Sequence, residues 1–246
     1  MALREELERA GHWLFRWRSY LPLLLIGLSL IAFREFEYPF GSQTLDDLWE
    51  IFCLAVSMVG IILRALAVGF VPEGTSGRNT KSQVAEELNT TGIYSVVRNP
   101  LYLGNFIIWL GISLLVRLWW FSLIIIFIFW LYYERIIFAE EEFLRGKFGH
   151  LYLEWAEKTP VFLPKFDNWR RSSLSFSFRT ALKGEYSGFF AIIATFTFLE
   201  IVGDYFAAGV WEFDTMWQII SFSGLFIYIV LRIMKKTNLL DVKGRP

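Results

Sequence analysis

The 246 residues are 55% hydrophobic and 19% aromatic, with 25 Phe, 11 Trp and a mean hydropathy of +0.43, which excludes an ordinary soluble domain and makes the chain a polytopic membrane protein. Lys plus Arg and Asp plus Glu balance at 24 each, so no global charge points to nucleic acid. One cysteine, Cys53, excludes disulfides, and two separated histidines, His12 and His150, offer no Cys/His metal site.

The chain begins with charges and has no small-residue cleavage site after an apolar core, so it does not read as a removable signal peptide. Apolar runs follow at 20–33, 49–70, 101–116, 118–138, 186–203 and 216–233, four of them near the span length; a bilayer crossing takes roughly 20 residues. The first is short, but Arg16, Trp17, Arg18 and Tyr20 flank it with side chains that reach the interface and extend its span. The third and fourth are separated only by Arg117 and predict a tight antiparallel helical hairpin. The expected fold is therefore all-α, a polytopic transmembrane bundle of about six spans with cytoplasmic loops and short helices. A composition break opens at Asp167-Asn168-Trp169-Arg170-Arg171-Ser172-Ser173. It divides the chain into a working unit at 1–165, an interfacial linker at 166–185 and an appended helix pair at 186–246.

Basic residues fix the expected orientation. Segments 1–19, 71–100, 139–185 and 234–246 are rich in Arg and Lys, whereas 34–48 and 204–215 are acidic, with Arg34 the single basic residue there. Both termini then lie in the cytoplasm, as for a multi-pass protein of a prokaryotic cytoplasmic membrane.

Two polar clusters fall on that same side. The first is Thr91-Gly92-Ile93-Tyr94-Ser95-Val96-Val97-Arg98-Asn99-Pro100-Leu101-Tyr102-Leu103-Gly104-Asn105, placed directly before an apolar helix. Gly92 and Pro100 suit a turn and a helix start, but a helix start needs at most one polar cap and this one has Arg98, Asn99, Tyr102 and Asn105. The second is Glu140-Glu141-Glu142-Phe143-Leu144 with Phe148-Gly149 and Tyr152. Acidic residues at a helix C-terminus oppose the macrodipole, and ionisable groups beside a bilayer core are costly unless they are used. Arg64, inside the second run, is a further candidate on the same ground. The loop at 71–90 holds small polar residues on the same side, with Arg78 and Lys81 among them, and is expected to order over a bound ligand.

In these motifs the chain resembles the isoprenylcysteine carboxyl methyltransferase and phospholipid methyltransferase family of integral membrane enzymes. The family's Thr-Gly-x-Tyr-x-x-x-Arg-His-Pro-x-Tyr-x-Gly pattern lies on Thr91, Gly92, Tyr94, Arg98, Pro100, Tyr102 and Gly104. Its Glu-Glu-x-x-Leu-x-x-x-Phe-Gly-x-x-Tyr pattern lies on Glu140, Glu141, Leu144, Phe148, Gly149 and Tyr152, followed by Pro160 and Pro164; Leu63-Arg64-Ala65-Leu66-Ala67 resembles the end of the preceding helix. Asn99 stands where the family has His, and Val161 where it often has Arg.

The resemblance implies S-adenosylmethionine held by Gly92, Tyr94, Pro100, Tyr102, Gly104, Glu140 and Glu141, chemistry at Arg98, Asn99 and Tyr102, and a membrane lipid or lipid-linked acceptor met by Arg64, Arg78, Lys81 and Arg98. No Gly-x-Gly-x-x-Gly follows a predicted strand, so a Rossmann cofactor site is not expected. An acceptor that is already a carboxylate or phosphate needs no general base, which suits a chain with two histidines. Three alternatives stay open at the level of sequence: a phospholipid amine N-methyltransferase, an NADPH-dependent reductase of the membrane sterol kind, and a non-catalytic lipid-binding protein.

Overall fold

The computed structural model describes residues 2–18, 20, 23–33, 43–74 and 85–246. Among the described residues the regular structure is helical, with one isolated bridge between Gly92 and Arg170. Four helices are long and apolar enough to cross a membrane: α3 (Gln43–Gly69), α5 (Trp119–Phe148), α7 (Phe178–Ala208) and α8 (Thr215–Lys236). The shorter apolar helices α2 (Leu23–Ala32) and α4 (Pro100–Leu115) complete an all-α membrane bundle of about six spans. Two short helices flank it, α1 (Leu3–Trp17) and α6 (His150–Lys158).

Helix α1 places Glu5 and Glu6 in its first turn and Arg16 in its last, matching the macrodipole, and buries Gly11 and Phe15. A Cβ at Gly11 would meet Ala139 Cβ at 2.7 Å, so the missing side chain is what lets α1 lie on α5. Helices α3 and α4 cross at similarly small residues. A Cβ at Gly60 would lie 2.6 Å from the Gly104 carbonyl oxygen, and Ser57 Oγ donates to the Ile108 carbonyl at 2.9 Å. Close backbone approach of this kind replaces the hydrophobic drive that lipid cannot supply.

Cys53 and Ile61 of α3, Ile112 of α4, Phe121 of α5, Phe196 and Leu199 of α7 and Trp217 of α8 share one core. A smaller cluster of Phe15, Tyr102, Phe129, Tyr133 and Ile136 joins α1, α4 and α5 beneath the two motifs.

The hairpin expected around Arg117 is the α4–α5 connection, where Arg117 takes φ +61°, a left-handed conformation uncommon outside glycine. Helix α7 starts earlier than its apolar run. Ser177 caps it, accepting from the Thr180 amide at 3.2 Å, so residues 178–185 of the expected linker are its first turns. The polar residues that break the hydropathy there are paired inside the protein, Glu185 with Arg64 at 2.8 Å and Lys183 with Asp241 at 2.9 Å.

Candidate functional site

The first motif is folded by glycine and clamped by the segment that follows the second. Gly92 sits at φ +59°, a region that favours a residue without Cβ. Its amide donates to the Arg170 carbonyl at 2.8 Å, the Arg170 amide donates to Ser95 Oγ at 2.9 Å, and Ser95 Oγ donates back to the Gly92 carbonyl at 2.6 Å. Further along, the Arg98 amide donates to the Pro160 carbonyl at 2.9 Å, the Lys165 amide to Val96 at 3.0 Å, and the Trp155 indole to the Tyr94 carbonyl at 3.0 Å. Pro100 then begins α4 where no intrahelical amide is needed.

This clamp sets Arg98 opposite the end of α5. Arg98 Nη1 lies 3.1 Å from Glu141 Oε2 and 3.4 Å from the Tyr152 hydroxyl. Beside it, Arg18 Nη1 is 3.7 Å from Glu140 Oε1 and 3.5 Å from the Tyr102 hydroxyl, with its guanidinium 4.0 Å over the Phe15 ring. Tyr102 and Glu140 thus share one guanidinium nitrogen of Arg18. A third centre adjoins on α3. Arg64 donates from Nε and Nη2 to the two oxygens of Glu185, at 2.8 and 3.0 Å, and from Nη1 to Asn105 Oδ1 at 2.6 Å.

Burial keeps the phenols neutral. Desolvation pushes Tyr94 well above the ordinary tyrosine value, aided by Glu140 and opposed by Arg64. Tyr152 moves the same way, by burial first and then by Glu141. Both are therefore hydroxyl donors across the usable pH range. Among the described residues, Arg98 Nε and Glu141 Oε1 are buried without a hydrogen-bond partner, a donor and an acceptor on two side chains already paired through Nη1 and Oε2.

Residues 51–150 match the phospholipid methyltransferase family. A protein-S-isoprenylcysteine O-methyltransferase of Schizosaccharomyces pombe is 35% identical over 164 residues, covering 63% of this chain and 67% of that protein. The chain belongs to this family of membrane methyltransferases. A nickel-cobalt-cadmium resistance protein of Alcaligenes xylosoxydans xylosoxydans is 28% identical over 158 residues, 64% of this chain and 67% of its own. A cobalt-zinc-cadmium resistance protein of Cupriavidus metallidurans is 27% identical over 158 residues, 64% and 66% of the two chains. No solved structure matches the chain. Among the described residues no group of three or more His, Cys, Asp and Glu could hold a metal ion.

Within the methyltransferase motifs the structure brings Tyr94, Arg98, Asn99, Tyr102, Glu140 and Glu141 together. Arg64 lies one helix away. Gly104 lies at the α3–α4 crossing, where a Cβ would meet Arg64 Cγ at 2.5 Å and the Gly60 carbonyl oxygen at 2.8 Å. Asn99, one departure from the family pattern, donates from Nδ2 to the carbonyl of Val161, the other departure, at 3.1 Å. Arg78 and Lys81 lie outside the described residues.

Sequence reasoning missed Arg18, Tyr133 and Glu185 as parts of this cluster. Arg18 carried the signal of an interfacial cation, and Glu185 lay in a stretch that read as a linker. Asn105 was visible as an excess polar residue at the start of α4.

Proposed function

We propose that the protein transfers a methyl group from S-adenosylmethionine to an anionic lipid or lipid-linked acceptor, a carboxylate or phosphate, at the cytoplasmic membrane face. The observation that carries this reading is the convergence of both family motifs on one buried polar centre that keeps an unpartnered donor, Arg98 Nε, and an unpartnered acceptor, Glu141 Oε1. Those two atoms suit the zwitterionic amino-acid end of S-adenosylmethionine, whose ammonium needs an acceptor and whose carboxylate needs a donor. When bound, the cofactor supplies an electrophilic methyl group on a sulfonium.

The chain's own residues supply alignment and exclusion of water. Glu140 and Glu141 hold the cofactor's ammonium or ribose hydroxyls, and Gly92, Tyr94, Pro100, Tyr102 and Gly104 shape the wall around it. Arg98 and Arg64 orient the acceptor's oxygen, and Arg78 and Lys81 meet its headgroup. Asn99 cannot titrate, so it serves by tying the Val161 carbonyl to the motif rather than by moving a proton. Each glutamate is also committed to an arginine, Glu140 to Arg18 and Glu141 to Arg98, which suits holding more than shuttling. The working unit in this reading is 1–165, joined by 166–185 to the α7–α8 pair.

The test is incubation of the purified protein with methyl-labelled S-adenosylmethionine and total lipid of the source organism, followed by mass analysis. A methyl ester on a lipid carboxylate or phosphate is expected. Label on an amine nitrogen overturns the acceptor class, and no label at all overturns the reaction.

A further inference from the structure

Arg64 is held by a residue that the family match does not reach. Glu185, in the first turns of α7, grips Arg64 in a two-pronged pair, Nε to Oε2 at 2.8 Å and Nη2 to Oε1 at 3.0 Å, while residues 51–150 are those matched to the family. A fork-to-fork pair fixes the plane of the guanidinium as well as its place. The third tie, Nη1 to Asn105 Oδ1 at 2.6 Å, fixes its remaining rotation. A guanidinium has five N–H groups, and these ties use three of them.

The burial of the pair is lopsided. The Glu185 side chain is 6% exposed and that of Arg64 22%, so the carboxylate is hidden and the open side of the pair is cationic. The surroundings are cut to that arrangement. Gly104 of the first motif leaves room for the Arg64 side chain, whose Cγ would stand 2.5 Å from a Cβ there. Asn105 passes the tie onward, donating from Nδ2 to the Tyr133 hydroxyl at 3.1 Å, and the Tyr133 ring lies 4.8 Å from that of Tyr102, which shares Arg18 with Glu140.

We propose that Glu185 is a positioning residue for the reaction: it sets Arg64 with its open edge toward an anionic acceptor, so that α7 completes the acceptor side of the site. This rests on the methyltransferase reading above. A purely structural pair would clamp α3 to α7 and affect every property of the protein alike. A positioning pair affects the acceptor and spares the cofactor.

The experiment uses the full chain with Glu185→Gln and Glu185→Asp. Three readouts are compared: thermal unfolding, S-adenosylhomocysteine binding, and the concentration of total source lipid giving half-maximal methyl transfer. Glu185→Asp keeps the charge but shortens the arm, so it folds and is the variant that decides if Glu185→Gln does not. Both variants are expected to raise the half-maximal lipid concentration about tenfold, the scale of a lost alignment, with S-adenosylhomocysteine binding within about twofold of wild type. Unchanged lipid dependence, or parallel loss of cofactor and lipid binding, overturns the positioning role. Absence of methyl transfer by the wild type overturns the methyltransferase reading first, and the role of Glu185 with it.

Discussion

The two ends of the bundle each bury arginine against carboxylates, and they do so differently. At the α4–α5 connection Arg117 Nη2 faces both Asp46 Oδ1 and Glu50 Oε1, the latter at 3.8 Å, and Glu50 accepts the Trp217 indole N–H at 2.8 Å. The Asp46 and Glu50 side chains are 3% and 1% exposed, so this cluster is shut away from the surface, although Asp46 Oδ1 and Glu50 Oε1 also lack a hydrogen-bond partner among the described residues. At the other end the Glu140 and Glu141 side chains are 22% and 26% exposed, and the Arg98–Glu141 contact runs through Nη1 and Oε2, leaving Nε and Oε1 without a partner among the described residues. Charges inside an apolar bundle are costly at either end. A cluster shut away from the surface works as a lock between helices, and the one that reaches the surface is where the proposed cofactor would bind.

The sharpest way to break this contrast is to open the lock. Arg117→Ala leaves two buried carboxylates uncompensated and is expected to cost on the order of 3–5 kcal/mol, read as a fall in detergent-solubilised thermal stability with little change in cofactor affinity per folded molecule. A variant as stable as wild type would show that the far cluster is not a lock. On the cofactor side, Arg98→Lys keeps the charge but loses the planar fork. Turnover should drop about a hundredfold, with cofactor binding weakened as well because the Nε donor offered to its carboxylate is gone, and near wild-type turnover would argue for an amine acceptor instead.

Smaller effects refine the picture. Gly104→Ala places a methyl against Arg64 and the Gly60 carbonyl and should cost about 1–3 kcal/mol of stability, with an accompanying rise in the lipid concentration required. Stability equal to wild type would mean that the α3–α4 crossing relaxes freely. The mildest change is Tyr152→Phe. Burial disfavours the phenolate, so the Tyr152 proton is lost only above the ordinary value of 10.0. The pH profile of turnover below that value should therefore superimpose on wild type, and an alkaline limb that vanishes in the variant would contradict it.

Much of this was legible in the sequence because the relevant forces act locally. Apolar runs bounded by Arg, Lys and Trp mark spans, and Gly92 with Pro100 marks a turn into a helix. Paired motifs on one side of the membrane mark one centre. What escaped was long-range pairing. Arg18 reaches Glu140 and Glu185 reaches Arg64 across sequence gaps that no periodicity encodes. The start of α7 was displaced for the same reason, since Lys183 and Glu185 look like solvent-facing charges until their partners Asp241 and Arg64 are in place. Helix α1 was hidden differently: its charges dominate its composition, and the glycine that seats it on α5 carries no hydropathy signal at all.

The central claim is that the open end holds S-adenosylmethionine through Glu140 and Glu141. Calorimetric titration of the purified protein with S-adenosylhomocysteine and, separately, with NADPH tests it directly, in wild type, Glu140→Gln and Glu141→Gln. Binding of S-adenosylhomocysteine alone is expected, weakened by about 1–3 kcal/mol in each variant, the scale of a lost charged hydrogen bond. Binding of NADPH, or S-adenosylhomocysteine affinity unchanged in both variants, would contradict it.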